Sequence, residues 1–241
     1  MKRMITAAAA LGLAVAGLRE GLYAAALDEK NLLTPFHPLE LLLWAITAVA
    51  AVVLLRWVRK RGNAYGEAPS GLAAALGCFA LALALVPELL ALRGDYLSLM
   101  QKLCLYGGIL AILSVACVGI CRLRGKQPFF GCHALLCVWL CLRLVVNYRV
   151  WSGDPQLMDY VLPMMANVCM GLFAYQQAAW DVDTVSPRSL LCWGLLAVFF
   201  CMGSLGSENP LFYAAGAVWA LTNLSRHSPA SGYPRRTGKE F

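Results

Sequence analysis

Long apolar runs alternate with short polar segments along almost the whole chain. Eight such runs occur before about residue 224, and each is close to the roughly 20 residues that a helix needs to cross a bilayer core. Backbone groups in lipid must be paired within their own segment, and the runs lack the period-two alternation of membrane strands, so each run predicts a helix. We therefore predict an all-α, polytopic integral membrane helical bundle with about eight transmembrane helices, near residues 4–27, 38–58, 70–92, 96–121, 128–151, 155–180, 187–205 and 210–224.

Short polar signals mark several of these helix starts. Asp154-Pro155, Ser186-Pro187 and Asn209-Pro210 each place a capping residue before a proline, which is the order preferred at a helix N-terminus. Residues 1–224 are predicted to form a single transmembrane domain. Residues 225–241 are rich in Ser, Gly, Pro and Arg, so we predict a disordered basic tail.

The first run has two interpretations. Lys2 and Arg3, an apolar stretch and the small residues around Ala25 match the three regions of a signal peptide. The same segment can be a transmembrane helix, which we favour because small residues recur at steps of three and four. Such a stripe predicts a smooth face for close helix packing, and a cleaved segment would not need one. The stripe consists of Ala7, Ala10, Ala14, Gly17 and Gly21.

Composition and charge agree with a membrane protein. The chain is 60% hydrophobic and 14% charged, whereas soluble domains carry about 25% charged residues. The net charge of +7 does not indicate nucleic-acid binding, because the basic residues lie in short loops on alternate sides of the predicted helices. Loops rich in Lys and Arg are retained in the cytoplasm. We therefore predict a multi-pass protein of the cell membrane, with both termini cytoplasmic.

The ten cysteines lie in or at the ends of apolar runs and form no CxxC pair, which is typical of buried packing residues. Cys117, Cys121, Cys132 and His133 have the ligand types of a zinc or copper site. Adjacent residues such as Cys132 and His133 point in different directions on a helix, however. We predict neither a metal site nor a cofactor.

Polar residues concentrate between residues 141 and 183, in the fifth and sixth predicted helices. Arg143 is about two turns from the end of its helix, too deep for a loop residue, and Asn147 continues its face. We predict that Arg143 points inward and is neutralised by an acid from another helix. Asp159 is the first candidate, because antiparallel pairing about the intervening turn sets it near Arg143; Glu20 and Glu40 are the alternatives.

Two further sets of intramembrane polar residues complete the candidate site. Glu88 and Lys102 lie at similar depth in the third and fourth predicted helices, on either side of the connection between them, so we predict that they pair. Asn167 lies near mid-membrane on the sixth helix and needs a partner across a helix boundary. Each set is open to two interpretations, a solute or proton site near the outer surface or structural ion pairs that fix helix register.

Motifs of common enzymes are absent: the chain has no HExxH, no GxSxG and no phosphate-binding glycine loop. We predict a non-enzymatic inner-membrane protein, either a small-solute carrier or a transport accessory subunit, with a polar site in the outer half. The alternative is a sensor or interaction scaffold whose buried charges are structural. Its partners would be the lipid bilayer and another membrane protein. A water-accessible pocket lined by Arg143, Asn147 and Asp159 would favour the carrier, and a dry, fully paired core would favour the scaffold.

Overall fold

The computed structural model describes residues 2–26, 38–61, 71–92, 98–152, 160–182, 184 and 186–225. These residues form eight helices and no strand. Five of the helices, α1 to α5, are long and apolar enough to cross a membrane, and α7 is a shorter apolar helix. The predicted all-helical membrane bundle is therefore confirmed. The helices are α1 (Lys2–Ala26), α2 (Pro38–Arg61), α3 (Leu72–Ala91), α4 (Leu99–Leu123), α5 (Phe130–Trp151), α6 (Val161–Asp181), α7 (Pro187–Gly203) and α8 (Pro210–Ser225).

The observed helix bounds lie within three residues of the predicted ones, except that α6 begins six residues after the predicted start at 155. Local capping explains two of the starts. Ser186 caps α7 by accepting a hydrogen bond from the Ser189 amide, with Pro187 at the first position, as predicted. Ser98 and Gln101 form a reciprocal capping box that starts α4 later than predicted. The Asp154-Pro155 start and the tail at 226–241 lie outside the described residues.

Helices α3 to α8 form a closed ring, in which each helix packs against the next along the chain and α8 closes the ring against α3. Gly77 makes the closing contact possible, because a Cβ there would collide with the Thr222 side chain of α8. Helices α1 and α2 pack together on the outside of the ring, both against α7. The interior of the ring is filled by large buried side chains that include Trp139, Phe173 and Trp219.

The small-residue stripe of α1 does not face the bundle, which corrects the predicted packing face. Ala10, Ala14, Gly17 and Gly21 are exposed, and no atom would lie within 4 Å of a Cβ at either Gly17 or Gly21. The face that packs on α7 instead contains Ala8, Gly12 and Val15, and a Cβ at Gly12 would lie 2.5 Å from the Phe199 carbonyl oxygen. The close approach of α1 to α7 is therefore made by a face with larger side chains and one glycine, Gly12.

The two ends of the ring differ in chemistry. We call the end that holds residues 204–209 the pocket end; α1, α3, α5 and α7 end there, and α4, α6 and α8 begin there. We call the opposite end, where α4 ends and α5 begins, the basic end, because Arg122, Arg124 and Lys126 lie there. Arg59 at the end of α2 also lies there, close to Cys192 in the first turns of α7.

Candidate functional site

Arg143 lies inside the ring and is paired with an acid from another helix, as the sequence predicted. Its side chain is 3% exposed. The guanidinium holds the Glu88 carboxylate by two parallel hydrogen bonds: Nη2 donates to Oε1 at 2.9 Å, and Nε donates to Oε2 at 3.1 Å. Such a two-point pair fixes orientation as well as charge. The pair connects α5 to α3 across the interior of the ring. Helix α4 lies between these two helices in the ring order.

Neutral side chains from α6 and α8 take the remaining donors of Arg143. Its Nη1 donates to Oδ1 of Asn167 at 2.8 Å and to the Tyr213 hydroxyl at 3.5 Å. Asn167 Nδ2 also donates to that hydroxyl at 3.5 Å. The guanidinium lies 4.0 Å from the centre of the Phe212 ring, within cation–π distance. We call these five residues, Glu88, Arg143, Asn167, Phe212 and Tyr213, the Arg143 cluster; none of its buried nitrogen or oxygen atoms lacks a partner.

The acid that pairs with Arg143 is not the one that the sequence favoured. Glu88 turns both carboxylate oxygens to Arg143, so the predicted Glu88–Lys102 pair is wrong, and Lys102 is exposed. The prediction assumed partners within one helical hairpin, whereas the ring lets α3 and α5 meet through long side chains. Asp159, the first candidate, lies outside the described residues.

Of the two asparagines predicted for the site, one belongs to the Arg143 cluster and the other does not. Asn167 belongs to the Arg143 cluster. It was predicted to need a partner on another helix, and that partner is Arg143. Asn147 is half-buried and makes no hydrogen bond within the described part of the chain. Tyr213 was missed, because α8 shows a nearly continuous apolar pattern in which a single tyrosine gives no signal.

Packed aromatic side chains fill the ring interior on the side of Arg143 that faces the basic end. Trp139, one turn earlier on α5, donates from Nε1 to the Cys104 carbonyl oxygen at 3.1 Å and packs edge-on against Phe212 at 6.1 Å between ring centres. Gly108 leaves room for this indole, since a Cβ there would lie 2.8 Å from Nε1. The Arg143 cluster is thereby separated from the basic half of the ring by well-packed side chains.

A second buried cluster lies at the basic end and consists of Arg122, His133 and Asp181, which we call the Asp181 cluster. Arg122 Nη2 donates to Asp181 Oδ1 at 3.2 Å, and His133 Nδ1 lies 2.9 Å from Oδ2. All three side chains are at most 2% exposed. This cluster was not predicted from the sequence, because Arg122 is one of several basic residues after an apolar run and His133 was considered only with the neighbouring cysteines.

A cavity of about 190 Å³ opens at the pocket end between α1, α5, α6 and the α7–α8 connection. Arg19 lies in its wall and donates to the Tyr23 hydroxyl at 3.2 Å, while Trp151 stacks on Tyr160 at 4.8 Å. Tyr213 also lines the cavity, so one side chain belongs both to the cavity wall and to the Arg143 cluster. The polar lining residues are Arg19, Tyr23, Tyr160, Ser207, Glu208, Asn209 and Tyr213.

This cavity differs from a pocket lined by Arg143, Asn147 and Asp159, which was predicted for a carrier. Neither Arg143 nor Asn147 lines it; Tyr213 stands between the cavity and Arg143. Within the described ranges, no group of three or more His, Cys, Asp or Glu side chains is arranged to hold a metal ion. The ten cysteines are all free thiols.

Comparison with known protein families, with curated proteins and with solved structures gives no match for this chain.

Proposed function

We propose that this chain is a non-enzymatic multi-pass membrane protein that binds a small polar solute in the cavity at its pocket end. In this proposal it carries the solute across the membrane or acts as the solute-binding subunit of a transport system. The observation that supports the proposal most strongly is the double role of Tyr213, which lines the cavity and whose hydroxyl accepts hydrogen bonds from Arg143 and Asn167.

The cavity suits a small polar ligand in both size and chemistry. Its volume of about 190 Å³ is below the roughly 300–1,000 Å³ of sites for drug-sized molecules. Arg19 and Glu208 offer one charge of each sign, and the Tyr213 hydroxyl, which already accepts two hydrogen bonds, has its own proton to donate. Trp151 and Tyr160 supply an aromatic wall against the apolar part of a solute.

Tyr213 also offers a route by which binding could change the bundle. Its hydrogen bonds to Arg143 and Asn167 are long, at 3.5 Å, and weaker than the bonds of Arg143 to Glu88. A solute that draws the hydroxyl toward the cavity would weaken these contacts of α8 with α5 and α6 first. A ligand shifts a conformational equilibrium only through such differential contacts.

We further propose that the basic end faces the cytoplasm and that both termini lie there. The support is the concentration of Arg and Lys at that end, since cytoplasmic loops carry an excess of basic residues. Reporter fusions after Lys60 and after Gly153 should give opposite signals. Equal signals at the two positions would rule out this topology.

The solute-binding proposal is tested by thermal unfolding of the purified protein in detergent against a panel of small amino acids, organic acids, amines and sugars. At least one class is expected to raise the unfolding midpoint of the wild type. Tyr213→Phe should lose most of that shift, because it removes only the shared hydroxyl. Tyr175→Phe is the matched control, since Tyr175 lies on α6 and is 57% exposed, and it should respond like the wild type.

The alternative is a membrane sensor or scaffold in which the buried charges only fix helix register. One observation favours it: the Arg143 cluster has all of its buried polar atoms paired, and of its five residues Tyr213 alone lines the cavity. A panel in which no solute shifts the midpoint, or in which Tyr213→Phe and Tyr175→Phe respond alike, would favour this alternative.

A further inference from the structure

The Asp181 cluster holds three ionisable side chains that play no part in the proposed solute binding. Arg122 approaches only one carboxylate oxygen of Asp181, Oδ1, and His133 approaches the other, Oδ2. The carboxylate thus stands between a permanent cation and an imidazole, a group that can bind a proton. Intramembrane ionisable residues of this kind are characteristic of proton relays.

Several buried polar atoms of the cluster have no hydrogen-bond partner among the described residues. They include both ring nitrogens of His133 and Arg122 Nε and Nη1. His133 Nδ1 is close to Asp181 Oδ2, yet the pair does not reach the geometry of a hydrogen bond. Buried polar groups without partners are uncommon, and each calls for an explanation such as a bound ion, a water or a change of protonation.

We propose that Arg122, His133 and Asp181 form a proton-binding site, in which His133 takes up and releases a proton beside the Asp181 carboxylate. With His133 neutral, the charges of Arg122 and Asp181 cancel. A proton taken up by His133 gives an imidazolium that donates to Oδ2 of Asp181, while Arg122 holds Oδ1. The proposal does not depend on the solute-binding function, because the two sites lie at opposite ends of the ring.

Among the residues that the structure describes, few charged groups besides Arg122 and Asp181 lie near His133. Helix α4 contributes Arg122 and the thiols of Cys117 and Cys121, and helix α6 contributes Asp181. Cys132 on the same helix as His133 interacts with both thiols and with Asp181, and Arg124 is close to Cys121. Asp181 is therefore the group that favours a proton on His133, and Arg122 is the main group that opposes it.

The Asp181 cluster lies among helix termini at the basic end. His133 lies in the first turn of α5, Asp181 is the last residue of α6 and Arg122 lies in the last turn of α4. All three helix termini meet the connections at that end of the ring. The site is thus dry enough for its charges to interact strongly and close enough to the surface to exchange protons.

The chain has three histidines, at positions 37, 133 and 227, so His133 can be observed alone. We suggest ¹⁵N-histidine NMR of the full chain in lipid nanodiscs, in a His37→Gln/His227→Gln background, from pH 5 to pH 8.5. The His133 ring signals should move between the neutral and protonated forms within this range. Asp181→Asn should weaken proton binding by about tenfold or more, the effect of losing an adjacent opposite charge.

Three comparisons separate a proton site from a merely structural cluster. Arg122→Gln should strengthen proton binding, Asp181→Glu should retain it, and Glu40→Gln, which changes an acid in the first turn of α2, should leave it unchanged. Circular dichroism identifies variants that fold. The proposal is overturned if the His133 signals of the parent stay in one form across the pH range, or if the folded Asp181→Asn or Arg122→Gln variant titrates like the parent.

Discussion

Both buried clusters contain one arginine and one carboxylate, but the other side chains that contact this pair differ between them. Around Arg143, the remaining donors go to the neutral side chains Asn167 and Tyr213 and to the face of Phe212. Around Asp181, the second partner is His133, and several polar atoms have no partner among the described residues. The first arrangement has a fixed charge, whereas the second can change charge when one proton binds.

Their positions along the ring reinforce the contrast. Helix α5 contributes to both clusters, with Arg143 and His133 about 15 Å apart along its axis at 1.5 Å per residue. Arg143 lies well inside the ring and connects α3, α5, α6 and α8, while the Asp181 cluster lies at the ends of α4, α5 and α6. We therefore expect the Arg143 cluster to contribute more to stability and the Asp181 cluster to respond more to pH.

Breaking the Arg143 cluster should have the largest effect on the free energy of unfolding. Glu88→Leu leaves the Arg143 charge buried without a carboxylate, which should lower the free energy of unfolding by about 3–5 kcal/mol. Equilibrium unfolding in detergent micelles measures this loss. Lys102→Leu is the control, because that side chain is exposed, and it should stay within about 0.5 kcal/mol of the wild type. Equal losses from the two substitutions would mean that Glu88 is not part of a buried pair.

Removing the acid at the basic end should cost less. Asp181→Asn keeps the shape of the side chain and an oxygen that can accept a hydrogen bond from Arg122, so we expect a loss of about 1–3 kcal/mol. The loss should be larger at pH 5 than at pH 8, since a protonated His133 adds a second cation beside Arg122. Unfolding measured at both pH values tests this, and a loss independent of pH would remove the distinction drawn between the clusters.

A smaller effect is expected at the link between the Arg143 cluster and the cavity. Tyr213→Phe removes a hydroxyl that accepts two hydrogen bonds of 3.5 Å, so the loss should be about 0.5–1.5 kcal/mol. Tyr175→Phe should change the unfolding free energy by less than that. A Tyr213→Phe loss as large as that of Glu88→Leu would show that the hydroxyl, and not the ion pair, holds Arg143.

The smallest effect should come from Asn147, which the sequence placed on the same face as Arg143. It is half-buried and outside the hydrogen-bond network of the cluster. Asn147→Ala should therefore stay within about 0.5 kcal/mol of the wild type. A larger loss in the same unfolding assay would extend the cluster by one turn of α5.

The sequence predicts local features of this protein better than contacts between helices. The apolar runs and the cap before Pro187 fix where helices lie, because these signals act within a few residues. The inward position of Arg143 was also predictable, since a permanent charge at that depth needs a partner. The identity of the partner was not, because it depends on the ring order that brings α3 opposite α5.

The same reason explains the other differences. Gly17 was assigned to the packing face of α1, but one helix alone does not show which of its two sides meets α7. Tyr213 and Asp181 stand singly in otherwise unremarkable segments, and only the fold brings them to Arg143 and to His133.

The central claim is that Arg143 and Glu88 form a buried pair inside the ring, and a double-mutant cycle tests it most directly. Unfolding free energies in detergent would be compared for the wild type, Glu88→Leu, Arg143→Leu and the double variant. We predict that the double variant is more stable than Glu88→Leu alone, with a coupling energy above about 1 kcal/mol, because no unpaired charge remains. Additive losses, which leave the double variant less stable than either single variant, would contradict the claim.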